Sequence, residues 1–119
     1  MKVVINNCFG GFNLSDEAVE MLFDKKGIPF EKRDSGLSLV GAEYFQPGHL
    51  GDNDYYLSTY ELHRDRADLD LIVVVELLGK KADSWSSELK VVEVPDDVKW
   101  HICEYDGNEH VAEDHRTWY

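Results

Sequence analysis

Residues 2–20 constrain the chain more than any other stretch. An apolar strand at 3–5 runs into a turn carrying Gly10-Gly11, and then into a helix with a full set of start signals. Ser15 is an N-cap residue, and Asp16 and Glu17 lie where the positive end of a helix dipole favours acids. Leu14 and Val19 have the spacing of a hydrophobic staple. The two glycines tolerate positive φ, so backbone N–H groups there can face an anion beside the helix terminus. Gly10 and Gly11 are therefore candidate ligand-binding residues. The pair is neither a Walker loop nor a GxGxxG motif, and a tight strand-to-helix turn accounts for the same residues.

The first helix is expected over 16–26, with Val19, Leu22 and Phe23 on one face and Lys25-Lys26-Gly27 as its close. Residues 65–82 fit both a strand and a helix period; length and ends favour a helix, with Asp65 as N-cap and Gly79-Lys80-Lys81 at its end. Strands are expected at 28–33, 55–62, 89–94 and 98–105, with 109–112 returning across an Asp106-Gly107 hairpin turn. Short segments at 37–40 and 42–46 place a hairpin in the middle third. The aromatic tail, 113–119, should dock on its own sheet or on a second subunit. The expectation is one α+β domain over 1–119, a mostly antiparallel sheet packed with two helices at about 16–26 and 65–82.

Charge narrows the partners. A formal net charge of −12 and a pI near 4.6 repel nucleic acid and anionic membranes, so neither is an expected partner. A basic protein partner and plain solubility both fit such a surface. The apolar run at 71–75 is too short to span a bilayer, and no leader segment is legible. Cys8 and Cys103 form no CxxC pair and read as reduced thiols, which places the protein in the cytoplasm.

Five histidines have no metal-ligand spacing, so no metal or cofactor is expected. Cys8 with His63, His101 or His115 as base would make a small hydrolase, but a small buried cysteine flanking a strand is the favoured reading. Arg116, beside His115 and followed by Trp118-Tyr119, has the equipment to grip a phosphate and stack a base. It would serve equally to pack the tail on Glu113 or Asp114. Trp85, in a serine-rich turn, suits a stacking surface, a subunit contact or a lid on the core.

Taken together, the opening MKVVIN with Gly10-Gly11-Phe12 and LSDEA at 14–18, LKVVEVP at 89–95, EYDG at 104–107 and EDHRTW at 113–118 resemble small phage and prophage proteins. They are similar to phage Thoeris anti-defence sponge proteins of the first type. The likeness covers both ends and the second helix and is poor over 37–60. It implies a phage-encoded, non-enzymatic protein in the host cytoplasm that sequesters a cyclic nucleotide immune signal of the cyclic ADP-ribose type. It implies a homo-oligomer, a dimer or larger, with ligand held partly between subunits by Arg116 and Trp85. The last third of this chain has a single arginine, whereas the resemblance implies more than one. The alternative is an acidic protein-binding inhibitor, a DNA mimic, using Asp96, Asp97, Glu104, Asp106, Glu109, Glu113 and Asp114.

Overall fold

The structure, a computed structural model, describes residues 1–34 and 41–113. Their elements run in the order β1 (Lys2–Asn6), α1 (Asp16–Lys25), β2 (Glu31–Arg33), β3 (Glu43–Phe45), α2 (Tyr60–His63), α3 (Leu69–Leu78), β4 (Leu89–Glu93), β5 (Trp100–Tyr105) and β6 (Asn108–Glu113), with 3-10 turns at Asn53–Tyr55 and Gly79–Ala82. This is an α+β fold. Every described strand pairing is antiparallel, but the strands form three two-stranded ladders, β1–β4, β2–β3 and β5–β6.

β1 is the spine. Its four residues Val3 to Asn6 are buried on both faces. Because side chains alternate along a strand, Val4 enters one core with Leu22, Phe23, Leu71 and Val74 of the helices. Val3 and Ile5 enter a second, with Val94, Trp100, Ile102 and Val111 of the β4 end and the β5–β6 hairpin. One edge of β1 is satisfied by β4 in a register of Val3 with Val92 and Ile5 with Lys90.

α1 starts as its sequence dictates. The Ser15 hydroxyl accepts the Ala18 N–H at 3.1 Å and donates to the Lys81 carbonyl at 2.6 Å, so the cap also tethers the turn after α3. The helix ends at Lys25, one residue short of the expected end, with Lys26 as its C-cap. Phe23, Phe30 and Tyr44 meet edge-on or tilted with centroids 5.2–5.3 Å apart, which fastens α1 to the β2–β3 ladder.

Three expectations need correction. The long helix of 65–82 shrinks to Leu69–Leu78, and its N-cap is Asp68, whose carboxylate accepts from Leu71 N–H; Asp65 instead closes the preceding turn by accepting from Ala67 N–H. The reason lies in β1: the Arg66 carbonyl accepts the Val4 N–H at 2.9 Å and is withdrawn from any helical ladder. The strand expected at 55–62 is a 3-10 turn, a single bridge at Tyr56 to Phe45, and the short helix α2. Its tyrosines 55, 56 and 60 are exposed, so the aromatic alternation had no face to bury, and Leu62 reaches the core only because the chain coils. The middle-third hairpin exists as β2–β3, placed earlier than 55–62 would have put it; the segment expected at 37–40 and the tail at 114–119 lie outside the described residues.

Leu71 is fully buried between the two long helices and β1. Leu71→Ala should cost about 3 kcal/mol, since a site walled by three elements cannot collapse freely. A urea melt should show the midpoint falling with an unchanged slope.

Candidate functional site: the Arg66–Glu109 cleft

The site grows from the end of β1. Asn6 is fully buried, and its side-chain amide uses all of its hydrogen-bonding capacity. Nδ2 donates to the Cys8 and Gly107 carbonyls at 2.9 and 2.7 Å. Oδ1 accepts from the Glu88 N–H at 2.8 Å and from the Cys8 thiol at 3.4 Å. One side chain thus gathers the loop after β1, the serine turn before β4 and the tip of the β5–β6 hairpin.

Backbone packs on backbone there. A Cβ on Gly10 would meet the Ser86 carbonyl oxygen at 2.2 Å, and one on Gly107 would meet the Gly11 nitrogen at 2.3 Å. Asp106 and Gly107 both hold positive φ, the geometry of the two-residue hairpin turn that Asp-Gly favours.

The backbone N–H of Asn6 donates to Glu109 Oε1 at 2.8 Å. Glu109, on β6, is 8% exposed and also receives both arms of the Arg66 guanidinium, at 2.6 and 3.1 Å. The same guanidinium lies over the Phe12 ring, 3.6 Å from its centroid. Phe12 in turn meets the His63 ring at 4.9 Å, and Tyr60 meets His63 edge-on at 5.6 Å. These groups line a cleft of about 510 Å³ that also takes in Gly11, Arg64, Ile102 and Glu104. Two of the chain's four arginines stand in it.

His63 Nδ1 is buried without a hydrogen-bond partner among the described residues. Burial lowers the His63 pKa from its ordinary value and the Arg66 charge lowers it further, against a smaller opposite pull from Glu109. The imidazole is therefore neutral at neutral pH. The cleft offers aromatic faces, a solvent-facing Arg64 whose ion pair to Glu61 is exposed, and a guanidinium already committed to a carboxylate. Such groups can bind and orient a ligand.

The residues singled out from sequence scatter. Gly11 lines the cleft, while the Gly10 N–H is spent on the Asp106 carbonyl at 3.0 Å. Trp85 is 68% exposed, which removes its reading as a core lid, and it lines a different hollow of about 250 Å³ beside the start of α1. That hollow carries Asp16 and Asp83, which oppose the attraction of the helix N-terminus for an anion. His115 and Arg116 lie outside the described residues. Cys8 is half-buried, with its thiol directed at Asn6 Oδ1 and the Ser86 carbonyl. Glu109, placed on an acidic rim from sequence, is inside and paired. Among the described residues, no group of three or more His, Cys, Asp or Glu side chains is placed to hold a metal ion.

Reading the sequence missed Phe12, Tyr60, Arg64 and Arg66. A signal existed: His63-Arg64-Asp65-Arg66 is a compact basic run in a strongly acidic chain.

Two outcomes follow from this geometry. Glu109→Ala should destabilise the fold by about 3 kcal/mol, since it strands a largely buried guanidinium and the Asn6 N–H. The double variant Arg66→Met/Glu109→Leu should lose less than the two single changes summed, measured by denaturant melts. His63 adds a pH dependence. Its folded pKa lies below the unfolded value near 6.5, so the unfolded state binds the proton first as pH falls. Stability should therefore drop as pH decreases through about 6.5, and His63→Phe should remove that part of the loss in melts across this window.

Against known protein families, curated proteins and solved structures alike, the chain finds no match.

Proposed function

We propose that the protein is a non-enzymatic binder that sequesters a small anionic nucleotide, of the cyclic ADP-ribose type that the sequence resemblance implies. In this reading it is a phage-encoded homo-oligomer that counters a bacterial immune signal in the host cytoplasm. The observation that supports it is the Arg66–Glu109 cleft: arginines beside aromatic faces in a chain whose net charge is −12. Phosphate needs fixed cationic donors, and bases need flat faces. Arg64 supplies a solvent-facing donor at the rim, Tyr60 an exposed aromatic surface, and the Arg66–Glu109 pair with Phe12 a rigid wall behind them. Sequestration requires tight binding and slow release, not turnover, and a cleft whose walls are held rigid by the Arg66–Glu109 pair suits it.

Isothermal titration with cyclic ADP-ribose isomers should give saturable binding, and heat denaturation should return the ligand intact. Arg64→Gln should weaken binding at least about tenfold, because a charge-assisted contact is lost without disturbing the core. Loss of binding in Trp85→Ala with none in Arg64→Gln would move the site to the hollow beside α1. Absence of binding to every isomer would sink the reading.

One observation favours a second reading, an acidic protein-binding inhibitor. At the hairpin tip Phe9 and Tyr105, 66% and 74% exposed, meet edge-on with centroids 6.3 Å apart, beside exposed Glu104 and Asp106. Exposed aromatics ringed by acids are the usual centre of a contact with a basic protein. Pull-down from host lysate should retrieve a basic partner, lost in Phe9→Ser/Tyr105→Ser; no retrieved partner counts against it.

A further inference from the structure

α3 is more apolar than its position needs. Eight of its ten residues, in LDLIVVVELL, are apolar, and Leu71, Ile72, Val74 and Val75 already fill the core. The surplus faces outward in a line. Leu69, Val73 and Leu77 are 78%, 41% and 68% exposed at i, i+4 and i+8, a stripe about 12 Å long at the helical rise per residue. A surface helix carries polar residues on such a face unless something covers it.

The charges around the stripe say what kind of helix fits. Around the N-terminal end of α3 lie Asp65, which makes no ion pair among the described residues, and Asp68 and Asp70, which share Lys26 Nζ at 3.1 and 3.4 Å; just past the C-terminal end lie Lys80 and Lys81, both exposed and without an ion pair among the described residues. An antiparallel partner with the same polarity lays its lysines beside these acids and its acids beside these lysines. A parallel partner would set lysine on lysine. The two helix dipoles also oppose when antiparallel.

We propose that this face of α3 is an interface between two copies of the chain, packed antiparallel about a two-fold axis at Val73. Val73 then meets its own copy and Leu69 meets Leu77 of the other, the self-complementary pattern of an isologous contact. A second copy carries the matching stripe and the matching charge order by identity, whereas any other partner must supply both independently. A pair of ten-residue helices is a small interface, so the dimer belongs in the micromolar range. The contact needs no ligand, so failure of the nucleotide reading leaves it standing.

Sedimentation equilibrium on the full chain tests it. The wild type should dimerise at micromolar concentration, and Val73→Glu should raise the dissociation constant at least about a hundredfold. Because Val73 is outside the core, circular dichroism should show the variant folded. Reversing the lysines, Lys80→Glu/Lys81→Glu, should weaken the dimer about tenfold, and adding Asp65→Lys to the same chain should restore part of the affinity. A monomer up to millimolar concentration, or a dimer indifferent to Val73→Glu, overturns the interface. A dissociation constant unchanged by the lysine reversal overturns the antiparallel arrangement.

Discussion

The Glu109 carboxylate is the constraint on which the rest of the structure depends. A charge this deep is costly to bury unless its oxygens are fully engaged. Here they are engaged by both arms of Arg66 and by the Asn6 N–H of β1. The arrangement holds three distant segments at once, because β1, the α2–α3 turn and the β5–β6 hairpin each contribute one group. It also settles the free edge of β1. A fifth or sixth strand would ordinarily cover that edge, but here the Arg66 carbonyl takes one N–H and Glu109 another. The cleft follows from the same contact, since the guanidinium that neutralises Glu109 lies on Phe12, whose ring meets His63.

Three two-stranded ladders would be marginal as isolated units. They persist because β1 is buried on both faces and belongs to two cores. Val4 ties the β1–β4 ladder to α1 and α3, while Val3 and Ile5 tie it to the β5–β6 hairpin. The β2–β3 ladder is held differently, by the aromatic cluster of Phe23, Phe30 and Tyr44. A strand read from sequence as one member of a single sheet is instead the partition between two layers. Its uninterrupted apolar run, with no polar alternation, is what that position requires.

Local signals were legible wherever they act within a few residues. Ser15 caps α1, Asp106-Gly107 turns the last hairpin, and the strands from residue 89 onward lie within two residues of their expected ends. Legibility failed where a distant group intervened. Arg66 reads as helix because nothing in its own neighbourhood reveals that Val4 claims its carbonyl. The tyrosines around residue 56 read as a strand because alternation of aromatics resembles a half-buried face, and only burial shows that no such face exists. For the site, the basic run at 63–66 was visible as composition, but its facing partners come from residues 12 and 109, and no spacing rule connects them.

By itself the sequence determined the α+β class, the capped first helix, the closing hairpin and the acidic character of the surface. Each of these rests on periodicity, turn stereochemistry or net charge, which are properties of contiguous residues. Only the tertiary structure decided that Glu109 is an interior ion-pair partner and not a rim acid, and that Gly11, Phe12 and Arg66 share one cleft while Trp85 lines another hollow. Only it decided which apolar residues of α3 are left facing water. The physical reason is the same throughout: burial of a charge or of an apolar side chain depends on which distant segments pack around it, and that packing is set by the whole chain at once.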